Sequence, residues 1–131
     1  MSKNGSCPYF LIVNKTRNVI LADKAKIAHT PFSRIKGLLG RKGLEKGEGL
    51  IIKPCSSIHT FFMQFKIDVI FLDKENKVVA MAFSLPPARI FDTFFRGKLV
   101  IELPSGILEK TGTKVGDNIE AKVGTATIFT E

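Results

Sequence analysis

Tryptophan is absent from this chain of 131 residues, tyrosine occurs once and cysteine only twice. With eleven Phe carrying nearly all the aromatic content, the composition suggests a core filled by phenyl rings, which need no hydrogen-bond partner when buried. Two cysteines, Cys7 and Cys55, fit either free thiols or one disulfide, and without a secretory signal free thiols are expected. Long apolar runs are missing as well. No stretch approaches the roughly 18 residues of a membrane helix. Met1–Cys7 is polar, and Phe10–Val13 is too short for the apolar part of a signal peptide. The expectation is a cytoplasmic protein with no membrane span, folded as a single domain over residues 1–131.

Acidic residues are scarce too, twelve against twenty Lys and Arg, for a formal charge of +8. The imbalance sits in the first third: residues 1–48 carry ten Lys or Arg against three acids, and the remainder ten against nine. Lys15, Arg17, Lys24, Lys26, Arg34, Lys36, Arg41 and Lys42 make a segment that can meet nucleic acid or anionic lipid, or simply form a solvated face. No nucleic-acid motif accompanies it and no aromatic interleaves with it, so nucleic acid is not among the expected partners.

What is present is a run of short β-like segments. Tyr9–Val13 and Val19–Ala28 flank a turn at residues 14–18, and Gly49–Lys53 and His59–Met63 follow. Ile67–Leu72 and Lys77–Phe83 flank Asp73-Lys-Glu-Asn76, in which Asn76 suits a left-handed turn position. Leu99–Leu103 and Asn118–Val123 are further strands, with Thr125–Phe129 the last, and residues 88–97 read as an aromatic-rich exposed loop. Thr30-Pro31 opens a helix through Leu39 with Phe32, Ile35, Leu38 and Leu39 on its stripe. Ser105–Lys110 is a second short helix, with Ser105 as its N-cap. The pattern predicts an α+β fold, mostly β, as a compact barrel-like sheet with two short helices.

Cys55-Ser-Ser-Ile-His59-Thr-Phe-Phe-Met63 gathers three soft-metal ligand types at four-residue spacing, and with His29 it completes a copper ligand set. On a strand, residues four apart are about 13 Å from each other, too far to share an ion. Strand alternation instead puts Ile58, Thr60 and Phe62 on one face and Cys55, Ser57, His59, Phe61 and Met63 on the other. Cys55 as a nucleophile would need His59 as its base, and no third orienting residue is evident. The expected metal and cofactor content is none.

The same stretch continues through Gln64-Phe-Lys-Ile-Asp68-Val-Ile-Phe-Leu72-Asp73 to Lys77-Val-Val. Before it stands Thr30-Pro-Phe-Ser-Arg34-Ile-Lys-Gly37-Leu-Leu-Gly40-Arg41, and after it Ile101-Glu102-Leu-Pro-Ser-Gly106 and Val115-Gly116-Asp117. In this order the motifs resemble an uncharacterised prokaryotic family, the one numbered 192 among domains of unknown function, over about residues 20–122. The resemblance implies a compact mostly-β domain and carries no biochemical activity with it. Glu75-Asn76 stands where the family often has Asp-Gly, a departure confined to the turn.

Inside these motifs Asp68 interrupts an apolar strand between Ile67 and Val69, and Glu102 does so between Ile101 and Leu103. An unpaired buried carboxylate costs several kcal/mol, so each needs a cationic or hydrogen-bonding partner, for which Arg34 is the natural candidate. One reading is structural, an ion pair or backbone-bonded carboxylate that pins helix to sheet. The other is a polar pocket lined by Arg34, His59, Met63, Asp68 and Glu102, open to a small ligand or a protein partner. The sequence therefore points to a binding or accessory module rather than an enzyme. The alternatives are a hydrolase-like enzyme using Asp68, Glu102 and His59, and copper binding through Cys55, His59 and Met63.

Overall fold

The computed structural model describes residues 9–28, 41–53, 57–60, 63–94 and 96–123. Its strands are β1 (Phe10–Asn14), β2 (Val19–Ala28), β3 (Glu48–Ile52), β4 (Ser57–His59), β5 (Ile67–Leu72), β6 (Val78–Leu85), β7 (Ile90–Asp92), β8 (Leu99–Pro104) and β9 (Ile119–Val123). One short helix, α1 (Ile107–Thr111), follows β8. The expected helix at residues 30–39 and the strand at 125–129 lie outside the described residues.

Seven strands form one sheet in the order β6-β5-β8-β3-β2-β1-β9, and β4 pairs with β7 in a separate ribbon. All the pairings are antiparallel except that of β2 with β3. A parallel pair cannot be joined by a tight turn, so residues 29–47 make the crossover. At one corner the sheet nearly meets itself. Lys77 bridges Asn118, and Asn76 and Asp117 carbonyls accept from the Ile119 and Val78 N–H groups, each at 2.9 Å. The sheet is thereby curled into a half-barrel.

Both faces of its centre are covered, which explains the apolar runs. On one face Ile51, Ile70, Leu72, Ile101 and Leu103 pack with Ile12, Leu21 and the helix residue Leu108. On the other, Leu50, Ile52, Val69, Phe71 and Val100 pack with Met63 and with Ile58 of the ribbon. β5 is buried at all six positions because it lies between the two cores.

Three differences from the expected elements have local causes. The strand expected at His59–Met63 ends at His59, because the Thr60 carbonyl accepts the Met63 N–H at 3.2 Å and turns the chain. Met63 therefore joins the core with Ile58 instead of the face opposite it. Residues 88–97 are not one loop but include β7, which the ribbon pairing with β4 creates. Ser105 does not cap α1; Gly106 stands at the N-cap with φ 101°, and no neighbouring side chain bonds the helix end.

Just after the ribbon, Gly97 packs closely against Phe71 and Thr93. A methyl at this position would lie 2.9 Å from Phe71 Cδ2, 3.0 Å from Phe71 Cβ and 3.1 Å from Thr93 Oγ1. Phe71 cannot yield freely, since its ring stacks on Phe91 with centroids 5.4 Å apart. Gly97→Ala is expected to cost about 1–3 kcal/mol, the range for overpacking a filled core. Urea denaturation of the two proteins checks it, and equal midpoints would show that the packing yields.

Candidate functional site

Asp68 is fully buried, and its carboxylate is satisfied by backbone. Oδ1 accepts the Ser84 N–H at 2.8 Å, while Oδ2 accepts Gly106 N–H at 3.0 Å and Leu108 N–H at 2.9 Å. The Ser84 donor is free for this role because β6 carries an extra residue opposite β5: Ile67 faces Leu85, but Val69 faces Ala82. Ser84 takes a left-handed φ of 50° in that bulge, and its Oγ bonds Ser105 Oγ. The helix-start amides, which a local side chain would ordinarily cap, are thus capped by a strand residue about 40 positions earlier. The carboxylate pins α1 to the sheet. Arg34, nominated as its cationic partner, lies outside the described residues.

Glu102 is equally buried, on the opposite face. In the β5–β8 ladder Asp68 stands opposite Leu103, and Val69 opposite Glu102. Directly opposed residues share a face, so Asp68 lies with Leu103 in one core and Glu102 with Val69 in the other. Leu50, also opposite Glu102, belongs to that second core with Met63. His59 is half-buried on β4, opposite Ile90, on the ribbon face turned away from Ile58 and Phe91. Of the nominated residues, then, Met63 and Glu102 share a layer, His59 faces outward on the ribbon that covers it, and Asp68 stands apart behind the sheet.

Cys55 and His29 lie outside the described residues, and among the described ones no three His, Cys, Asp or Glu side chains gather as a metal site requires. No described helix is long and apolar enough to cross a membrane.

A third polar cluster, unmarked by charge or spacing in the sequence, centres on Asp117 of the Val115-Gly116-Asp117 motif. Asp117 Oδ2 accepts from Asn14 Nδ2 at 2.9 Å, Arg17 Nε at 2.7 Å and the Lys114 N–H at 2.9 Å, and Oδ1 accepts from Arg17 Nη2 at 3.3 Å. Asn14, fully buried, also donates to Thr113 Oγ1 and accepts the Arg17 N–H. Burial raises the Asp117 pKa, but the bonds from Asn14, Arg17 and Lys114 and the Arg17 charge outweigh it, leaving the carboxyl below its ordinary value. The cluster ties the β1–β2 turn to the loop before β9, at the corner where the half-barrel nearly closes. Thr60 likewise holds the segment after β6: its Oγ1 donates to the Pro86 carbonyl at 2.6 Å and accepts the Arg89 N–H at 2.8 Å. Nothing in the sequence marks Thr60, because its importance comes from a bend that tertiary contacts make.

The basic segment forms a small groove of about 120 Å³ lined by Lys24, Lys26, Arg41, Leu44, Glu48, Gly49 and Leu50. Glu48 sits among the cations, bonded to Arg41 Nη2 at 2.6 Å and to the Glu45 N–H at 2.8 Å. Burial raises its pKa, and the Glu45 bond together with Arg41 and Lys26 lowers it further than burial lifts it. An anion entering the groove meets a carboxylate already there.

The family model of domain of unknown function 192, described as an uncharacterized ACR, matches residues 12–121. The chain belongs to this family. Among the relatives of this DUF192 member is a UPF0127 protein of Thermococcus sibiricus, 32% identical over 117 residues, with 86% of this chain and 75% of the relative covered. Another, from Pyrococcus abyssi, is 37% identical over 116 residues and covers 84% of this chain and 96% of its own. Two solved structures share the fold, each with a TM-score of 0.73. One is a protein of unknown function from Novosphingobium aromaticivorans, 20% identical and covering 92% of this chain and 96% of its own. The second, described as a putative transcription regulator of Sinorhizobium meliloti, is 19% identical and covers 87% of this chain and 92% of its own. In this DUF192 chain, two of the stretches that carried the resemblance, around Asp68 and around Pro104-Ser-Gly106, are the two halves of one clasp.

Proposed function

We propose that this DUF192 protein is a binding or accessory module rather than an enzyme, and that the side of the sheet bearing His59, Met63 and Glu102, together with Arg34, is where a small ligand or protein partner is met. The observation that supports this reading is the division of the two strand carboxylates between opposite faces. Acid–base hydrolysis requires its carboxylates and imidazole around one reacting atom. Here Asp68 has its oxygens committed to three backbone amides and turns away from Glu102. Asp68 then supports the sheet that carries the site without contacting a ligand.

The test is an assay for turnover of p-nitrophenyl acetate and p-nitrophenyl phosphate, with a thermal-shift panel of amino acids, nucleotides and short peptides run beside it. The expected result is no turnover above buffer, and a stabilising hit that His59→Gln weakens. Turnover that His59→Gln abolishes at an unchanged melting midpoint would instead make the protein an enzyme.

A further inference from the structure

Asp23 is the single acid of β2, and it sits in a bulge of that strand. From Ala22 to Ala25 β2 advances three residues while β1, from Ile12 to Phe10, advances two. The N–H groups of the two bulged residues, Asp23 and Lys24, turn to one acceptor, the Gly47 carbonyl, at 3.0 and 2.8 Å. Gly47 holds a φ of 90° and lies so close that a methyl there would stand 2.5 Å from Asp23 Oδ1. The close approach supplies no donor. Oδ1 is shut off from water without a hydrogen-bond partner, and among the described residues no cation pairs with the carboxylate. Asp68 and Asp117, which tie elements together, have both oxygens bonded; Asp23 ties nothing. Its half-buried side chain lines a groove of about 320 Å³ beside α1, with Ile20, Leu21 and Ile107 as apolar wall and the exposed Lys24 and Lys46 beside them. With Oδ1 closed off, the groove reaches the carboxylate through its other oxygen.

We propose that this groove binds a free aliphatic α-amino acid, its ammonium group on Asp23, its carboxylate toward Lys46 and its side chain against Ile20 and Ile107. The unpaired carboxylate calls for a cationic donor, because an acid that has lost hydration on one side without a partner gains most from a charge-assisted bond. Charge then narrows the class. Two lysines against one acid leave the groove positive, which disfavours a plain amine and favours a ligand carrying an anion beside its ammonium group. The apolar wall asks for an aliphatic remainder. Size agrees, since the volume stands at the lower end of the range of about 300–1,000 Å³ for small-molecule sites. This groove is separate from the side proposed above: Leu21 and Ile107 pack with the core that holds Leu108, whereas Met63 belongs to the other core.

Titration calorimetry of the full chain with three probes tests this. L-leucine carries all three features, N-acetyl-L-leucine lacks the ammonium group and isopentylamine lacks the carboxylate. L-leucine is expected to bind in the sub-millimolar range, isopentylamine more weakly and N-acetyl-L-leucine not at all. Asp23→Asn should weaken L-leucine at least about tenfold, as losing a charge-assisted bond does. Lys46→Met should weaken L-leucine and leave isopentylamine no weaker than in the parent. Asp23→Asn should also melt at or above the parent midpoint, because it removes a charge that the fold leaves uncompensated. A parent that gives no heat with L-leucine overturns the proposal. Leucine binding that Asp23→Asn does not weaken overturns it too, by placing the amino acid elsewhere, such as the side bearing His59. Isopentylamine bound as tightly as L-leucine removes the zwitterion, and an Asp23→Asn protein that melts well below the parent makes the carboxylate structural; either result sinks the assignment.

Discussion

Asp68→Ala is expected to lower the unfolding free energy by about 3–5 kcal/mol, the range for removing one side of a buried charged interaction. The loss has two parts. Three hydrogen bonds to a buried carboxylate disappear, and the amides of Ser84, Gly106 and Leu108 lose their acceptor, that of Leu108 where it is buried from water. Helix α1, only five residues long, cannot persist by its own propensity, so its docking through Leu108 is weakened together with the clasp. Asp68→Asn should cost less, about 2 kcal/mol, because the amide retains one acceptor while turning a donor toward an N–H group. Urea denaturation of the three proteins measures this order. A cycle with Arg34→Met separates the clasp from an ion pair: losses that add within about 0.5 kcal/mol leave Asp68 to the backbone amides alone. If Asp68→Ala unfolds at the parent midpoint, the clasp does not stabilise the fold, and the carboxylate must be sought in a functional role.

The second large effect is expected at Asp117. Asp117→Ala removes the acceptor for Asn14, Arg17 and Lys114 together, and should cost about 2–4 kcal/mol because Asn14 is then left buried with a donor unmet. Its pH dependence is distinctive. The folded-state pKa is lowered below the ordinary 3.8, so the stabilisation is fully present above that value and is lost as pH falls through the lower folded value. The advantage of the parent over Asp117→Asn should therefore be constant from neutrality to about pH 5 and shrink below about pH 4. Denaturant titrations at several pH values decide it. An advantage that persists undiminished in acid would mean that the carboxylate charge is not what holds the corner. Glu48, also lowered, adds to the same acid-side loss, but its groove is partly open and its share is smaller.

Where one face of a strand is solvated, alternation marks the face and the sequence can be read directly; where both faces are covered, it cannot. β2 has the first character. Its exposed Lys24 and Lys26 flank buried Ala25, and its bounds agree with those expected from the sequence. β5 has the second: its bounds were legible, but six buried positions in a row carry no sign of direction. For that reason the sequence alone places Asp68 and Glu102 in one pocket, each being a single acid in an apolar strand. The β5–β8 register, set by long-range pairing, divides them. The strand expected through Met63 failed for a related reason, since Thr60 bends the chain by bonding Pro86 and Arg89, residues more than twenty positions away.

By itself the sequence determined the mostly-β class, the family, most of the strand bounds and the demand that Asp68 and Glu102 each find a partner. Those properties follow from local composition, from turn chemistry such as Asn76 at φ 66°, and from the cost of burying charge. Only the tertiary structure decided which partners answered that demand for Asp68, because the donors are freed by a bulge in β6 and by the start of a helix 38 residues on. The physical reason is that a backbone amide is present at every residue but proline, and only the folded path of the chain determines which amides remain available to a distant side chain.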